Sequence, residues 1–433
     1  MTKQAKKTRR ARNSGGLYQR ASDGMWCAAV ELPAIGGKRR RKVVVRARKD
    51  DVVKELRKLR LAKDLHGDFG APAPTLAAWC TDWMKRYGKK RKPTNWSRDQ
   101  STIDRYIVPP LGKVKLDKLT VAHIHRMHAY ITDPKPDGLG LSPTTANHAH
   151  RTLSTILEAA FAEERVTRNV AKVAGAPAVA IVKKDHLASD QARALLLGLD
   201  PGDGTVPLDL AMMSLSYFTG MRPAERVGLT RDMVDLDAGT ITVAWQLQRI
   251  AFAHGCGQIE DGAWPCGRKK AGYCPQRAVV VPSTVEATRV EGGLWLTRPK
   301  TRAGWRTIPM VGILRDTLDA YLDTHDPGME GLIFTRPQGG KGKGAMTGRP
   351  IDPSAYTERW HEIVRSAGLP DIPPHSARHT CNTILTELGV PVDVRIQILG
   401  HAGERVNEQV YTHTSDARVK EGMLALDQAM RWR

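Results

Sequence analysis

Several short runs in the C-terminal half of this 433-residue chain bring together side chains that can act on a phosphate ester. They are Tyr217-Phe218-Thr219-Gly220-Met221-Arg222-Pro223-Ala224-Glu225, His375-Ser376-Ala377-Arg378-His379, Leu399-Gly400-His401 and Tyr411-Thr412-His413. Breaking a phosphodiester without a metal needs cations for the non-bridging oxygens, a nucleophile, and an acid to protonate the poor alkoxide leaving group. Two arginines, a tyrosine and a lysine with histidines meet that need. Any one of them alone would be ordinary packing or surface chemistry; the set carries the reading.

The charge of the chain fits such a substrate. There are 67 Lys and Arg against 45 Asp and Glu, a formal net charge of +22 and a pI near 9.9, the footprint of a polyanion binder. Residues 1–70 hold 20 basic and 7 acidic residues, so +13 of that excess lies in the first part of the chain. With no run of about 18 apolar residues and no apolar stretch after the basic N-terminus, neither a membrane span nor a signal peptide is expected. The chain is expected to be soluble and cytoplasmic. Six cysteines are too few for a disulfide framework in a chain of this size.

Three domains are expected to position these residues. Residues 1–14 form a basic arm, read either as a phosphate-binding segment or as a solvated tail. Residues 15–67 read as a three-stranded meander over Leu17 to Arg20, Trp26 to Leu32 and Arg40 to Arg46, backed by a helix capped by Asp50 or Asp51. The third strand carries Lys38, Arg39, Arg40, Arg41 and Lys42, which suit a β-ribbon on DNA; the alternative is a charged, solubilising edge strand. After a Gly/Pro linker, residues 75–170 read as helices over Leu76 to Tyr87, Asn95 to Ile107, Thr120 to Ile131 and Ser142 to Glu164, broken at Pro109-Pro110-Leu111-Gly112 and at Pro134 to Gly140. Trp79 and Trp83, four apart, are expected in the core of the first helix. Lys89, Lys90, Arg91 and Lys92 are expected on the DNA backbone, although such a run can also be a solvated face. Residues 187–433 hold the chemistry, with an insertion at about 251–293 between a strand over Thr240 to Gln248 and a later hairpin.

The motif set resembles the tyrosine recombinases, or phage integrases, whose catalytic domain is marked by Thr-Gly-x-Arg-x-x-Glu, His-x-x-Arg-His, Leu-Gly-His and a tyrosine about ten residues later. Pro299-Lys300-Thr301 with Arg306-Thr307-Ile308-Pro309 fits the family's lysine hairpin. Four motifs in the right order are far more specific than any one. The basic module and the helical region resemble the family's arm-binding and core-binding domains, so the resemblance spans nearly the whole chain. The fold class it implies is multidomain α+β: a small three-stranded sheet with a helix, an all-α domain, and a mainly α catalytic domain with a small sheet.

The resemblance also implies roles. Arg222 and Arg378 clamp the scissile phosphate, Tyr411 attacks phosphorus, His375 accepts its proton, Lys300 protonates the leaving 5′ oxygen and His401 bonds the phosphate. Glu225 and His379 would hold these groups in position. No catalytic cofactor is implied. The implied partners are double-stranded DNA at core and arm attachment sites and a homotetramer on synapsed duplexes, with a host DNA-bending protein and an excisionase as further candidates. The C-terminal segment, Ser415 to Arg433, is expected as a helix packing on a neighbouring subunit. Ser376 and Ala377 stand where Asp and Leu are usual, and Arg231 where a Trp is frequent, which alters packing rather than the reacting groups. The rival reading is a non-catalytic DNA-binding regulator or architectural protein with this fold; the intact set of six reactive residues argues against it.

The insertion holds His254, Cys256, Cys266 and Cys274, half of the chain's cysteines in one short stretch. Four soft ligands in an irregular segment suggest structural zinc. The spacing lacks a Cys-x-x-Cys pair, and reduced cysteines in a loose loop are the alternative.

Overall fold

The computed structural model describes residues 17–35, 38–66, 73–88, 93–180, 185–257, 263–281, 285–299, 304–338, 346–400 and 416–432. Contacts divide the chain into two compact units, Met1–Gly88 with Arg98–Val179 and Lys89–Ser97 with Ala180–Arg433. No helix among the described residues is long and apolar enough to cross a membrane.

The first unit opens with an antiparallel sheet of β1 (Leu17–Gln19), β2 (Trp26–Ile35) and β3 (Lys38–Arg46), in that order. Alternation along the strands turns Ala28, Val30 and Val44 toward Val52, Leu56 and Leu59 of α1 (Lys49–His66), making a small core. Asp50 and Asp51 do not cap α1 as expected. They lie inside its first turn, where carboxylates favour the positive end of the helix dipole.

The helical part runs through α2 (Leu76–Tyr87), α3 (Pro93–Thr102), a π turn over Ile103–Ile107, α4 (Val108–Leu111), α5 (Val121–Thr132), α6 (Pro143–Ala162) and α7 (Val170–Ala174). Trp79 and Trp83 are core residues, each 2% exposed, and the Trp79 indole N–H donates to the Ile156 carbonyl at 3.1 Å. The expected break over Pro109-Pro110-Leu111-Gly112 comes at the end of that run, where α4 stops at Gly112. The π turn shifts the hydrogen-bonding frame, so both prolines fall in the first turn of α4, where a missing N–H costs least.

The second unit contains α8 (Ser189–Leu199), α9 (Leu208–Thr219), α10 (Pro223–Arg226), β4 (Val234–Asp235), β5 (Thr240–Val243), β6 (Gln246–Arg249), β7 (Ala287–Glu291), β8 (Leu294–Thr297) and β9 (Arg306–Pro309). It continues with α11 (Gly312–Thr324), β10 (Thr335–Pro337), β11 (Met346–Pro350), α12 (Pro353–Ser366), α13 (Ser376–Glu387), α14 (Val392–Leu399) and α15 (Asp416–Met430). Its strands form three small antiparallel sheets, β4-β5-β9, β6-β8-β7 and β10-β11. The chain is therefore mixed α+β, as its sequence implied.

At the centre lies α9, buried from Leu210 to Thr219 and packed by α8, α11, α13 and α15. Its Ser214 and Ser216 hydroxyls donate to carbonyls four residues back, which satisfies them without leaving the helix.

Two expectations are corrected. The single strand over Thr240 to Gln248 is two: β5 pairs with β9, and after Ala244-Trp245 the chain changes sheets so that β6 pairs with β8. The C-terminal helix forms, but its apolar side is spent on its own unit. Val419, Met423, Leu426 and Met430 enter the core, and Asp427 accepts from the Ile313 N–H at 2.9 Å at the start of α11. That surface is not available to a neighbouring subunit in this arrangement.

Candidate active site

The site begins where α9 stops. Gly220 closes the helix in the left-handed conformation, φ +57°, and a Cβ there would stand 2.3 Å from the Leu399 side chain. Glycine is thus required twice, by the backbone and by the close approach of α14. Two residues on, Arg222 caps α10, and its main-chain N–H donates to Glu225 at 2.9 Å.

Glu225 is fully buried and organises the cations around it. One oxygen accepts from the Arg222 guanidinium at 2.7 Å and the other from Arg306 at 3.1 Å, while the Gln246 amide reaches the first at 3.5 Å. Burial alone would raise its pKa, but Arg306 and Arg222 outweigh this and hold it below the usual carboxylate range. The carboxylate is therefore ionised.

Arg378, on the first turn of α13, is 2% exposed and donates to the Gly220 carbonyl at 2.9 Å. Burial, with Arg222 and Arg306 nearby, pushes it down to about 9, which leaves it charged at neutral pH. Arg306 also donates to the Ile398 carbonyl at 2.7 Å, and Arg222 to the Gly400 carbonyl at 3.3 Å. Three guanidinium groups thus gather around one carboxylate, leaving a local excess of two positive charges. Arg222, half-buried, gives this cluster access to solvent.

His375 caps α13, and its ring meets that of His379 edge-on, with centroids 5.2 Å apart. Ser376 and Ala377, the two departures from the usual box, are both buried in packing around the helix start.

The structure thus brings together Arg222, Glu225 and Arg378, with His375 and His379 on the same α13 turn. Lys300, His401 and Tyr411 lie outside the described residues, as do Lys89, Lys90, Arg91 and Lys92. Of the β3 candidates, Arg41 and Lys42 are exposed and Arg40 is half-buried; the side chains of Lys38 and Arg39 are not described.

Two arginines were missed as site residues. Arg306 stood in the Arg-x-Ile-Pro pattern, but its pairing with Glu225 across 81 positions has no local signature. Arg226 is wholly buried between Tyr356 and Trp360, 5.2 and 5.4 Å from their ring centres, and reaches the Pro374 carbonyl at 3.4 Å, next to His375 in sequence. Nothing in its spacing distinguishes it from a surface arginine.

The insertion forms a second site. Ligand atoms of His254, Cys256, Cys266 and Cys274 all lie within 4.8 Å of one another. The His254 Nδ1 is 3.8 Å from the Cys256 sulfur and 3.4 Å from that of Cys266, and the ring stacks on Trp264 at 4.1 Å. Burial raises the Cys274 thiol, yet the Gln276 N–H and the neighbours His254, Cys266 and Cys256 bring it down to about 7.

The comparisons agree with this geometry. Residues 284–418 match the phage integrase family and residues 75–131 the N-terminal SAM-like domain of phage integrases. An integrase from Saccharopolyspora erythraea is 27% identical over 95% of each chain, and one from Streptomyces ambofaciens 24% over 97% of each. The fold is similar to that of the Tn1549 transposon integrase, solved in complex with a circular intermediate DNA, at a TM-score of 0.57 and 18% identity, covering 82% of this chain and 100% of that one. The chain is an enzyme of DNA strand exchange, a site-specific recombinase. It belongs to the phage integrase family of tyrosine recombinases, whose chemistry needs no catalytic cofactor.

Proposed function

We propose that this recombinase integrates or excises a phage or mobile element by transesterification through Tyr411. The observation that carries the reading is the excess of positive charge where Arg222, Arg306 and Arg378 meet around Glu225. Arg222 and Arg378 take the non-bridging oxygens of the scissile phosphate, because a planar guanidinium offers paired donors and keeps its charge. Arg306 and Glu225 hold Arg222 in place.

Tyr411 attacks phosphorus, and its phenolic proton passes to His375. The P–O5′ bond breaks as the P–O(Tyr) bond forms, and Lys300 delivers a proton to the departing 5′ oxygen. His401 donates to the phosphate. The products are a 3′-phosphotyrosyl bond and a free 5′ hydroxyl, so the bond energy is kept and another strand's 5′ hydroxyl reverses the step. His379 orients its partners on α13.

The enzyme acts as a homotetramer on two synapsed duplexes in the bacterial cytoplasm, at the nucleoid. Its N-terminal module, through Lys38 to Lys42, holds arm sites, and the helical region with Lys89 to Lys92 holds core sites. A host DNA-bending protein and an excisionase set direction. The cluster His254, Cys256, Cys266 and Cys274 holds a structural zinc ion that takes no part in the reaction and stiffens a loop near the DNA.

Incubation with a nicked suicide substrate carrying the attachment site tests the mechanism. Wild type forms a covalent adduct on a denaturing gel and Tyr411→Phe forms none. An adduct that persists in Tyr411→Phe, or is absent from wild type, defeats it.

A further inference from the structure

The insertion has too little apolar surface to fold by burial. Over residues 251–281 its regular structure, among the described residues, is one 3-10 turn at Ala271–Tyr273, a bridge between Ala253 and Ala278 and one more bridged residue, Ala263. Among its described residues Cys274 is the one buried hydrophobic residue. A segment without a core needs another staple, and a metal supplies one.

The ligand geometry suits zinc. With bonds of about 2.3 Å to sulfur and about 2.0 Å to nitrogen, tetrahedral ligand atoms stand roughly 3.5 to 3.8 Å apart. The 3.4 and 3.8 Å separations from His254 Nδ1 to two sulfurs bracket that spacing. Three thiols and one imidazole favour zinc over the hard cations, which prefer oxygen.

What the staple would display is basic. From Cys266 to Val281 the chain carries Arg268, Lys269, Lys270 and Arg277 and no acidic residue. All four are exposed, and the first three, between two ligands, form no ion pair among the described residues. Arg277 leans over the Phe252 ring at 5.2 Å, tying the returning segment to the outgoing one.

The insertion also has a defined base. It leaves from Arg249, which pairs with Leu294, whereas Gln246 pairs with Thr297 at the end of β8 that leads on to Lys300. Three residue steps of about 3.4 Å place its root roughly 10 Å from that end, the length of about three base pairs of duplex.

We infer that the metal centre is the frame of a DNA-gripping finger, in which Zn²⁺ on His254, Cys256, Cys266 and Cys274 holds Arg268, Lys269 and Lys270 against duplex phosphates beside the cleavage site. This rests on reading the cluster as a zinc site. The contact is with the backbone, so it adds affinity without base readout.

The test uses the full chain purified without a chelating tag, metal analysis, and anisotropy with a fluorescein-labelled duplex of arbitrary sequence over a range of NaCl. Wild type carries about one zinc per chain. The variant Arg268→Ala/Lys269→Ala/Lys270→Ala keeps the zinc, and the slope of log affinity against log salt shrinks by about 0.9 per lost contact, roughly 2 to 3 in all. Cys266→Ser/Cys274→Ser loses the zinc and shows the same loss of slope. Zinc present with an unchanged slope in the triple variant overturns the finger and leaves the zinc site standing. Absence of zinc from wild type overturns both. If the cysteine variant fails to fold, the triple variant still decides.

Discussion

Arg222, Arg306 and Arg378 are held by groups from distant segments, Glu225, Gly220, Ile398 and Gly400, in a core that buries Glu225 completely. His254, Cys256, Cys266 and Cys274 come from one short stretch with almost no core of its own. The first site inherits its precision from the packing of a whole unit, so its charges cannot move unless α9, α13 and α14 move. The second can order or loosen while that core stays folded. On the function proposed above, the centre that must hold a phosphate in line is the first kind, and the accessory grip the second.

The largest effect that would sharpen this contrast is expected at Glu225. Glu225→Gln leaves Arg222 and Arg306 clustered without their counter-charge, a loss on the order of 3 to 5 kcal/mol, read by denaturant unfolding. Because the folded-state pKa of Glu225 is lowered, its contribution is fully present above the ordinary carboxylate range and is lost as pH falls from there through the lower folded-state value. Wild type should therefore lose its advantage over Glu225→Gln at acid pH; an advantage that does not depend on pH would show that charge is not the cause.

Next comes Arg378→Lys, which keeps the charge but loses the fork. Cleavage of the suicide substrate should fall by about 100- to 1,000-fold, the usual cost of one oxyanion donor, with the melting temperature changing far less. Equal cleavage would mean that Arg378 supports the fold only.

Gly220→Ala should cost about 1 to 3 kcal/mol, since it combines a positive φ with a clash at Leu399. In a Leu399→Ala background the cost of Gly220→Ala should shrink, and an unchanged cost would refute the contact. Asp427→Ala, which removes the acceptor at the start of α11, should cost about 1 kcal/mol in the same assay.

The smallest expected effect on the core comes from metal removal. A chelator should speed trypsin cleavage at Arg268, Lys269 and Lys270 severalfold and shift the main melting transition by no more than about 2 °C. A collapse of the main transition would show that the two regions are not independent.

Much of the site was legible because it is local. Gly220 ending one helix, Arg222 opening the next and Glu225 one turn on are set by hydrogen bonds between near neighbours, and so follow from spacing. The Trp79 and Trp83 face followed in the same way from helical periodicity. Boundaries also have local causes: a π turn carries the helix through Pro109-Pro110 to its end at Gly112, and nothing in Thr240 to Gln248 marks the residue at which the chain changes sheets.

By itself, then, the sequence determined the order and type of the reactive groups, the local caps that orient Arg222 and Glu225, and the gathering of four soft ligands in one stretch. Tertiary structure alone decided that Arg306 joins Arg222 on Glu225, that Arg226 lies between Tyr356 and Trp360, and that α15 folds back on its own unit. The physical reason is that burial is non-directional: an apolar stripe or a lone arginine states a need for a partner, but which distant segment meets it depends on how the whole core closes.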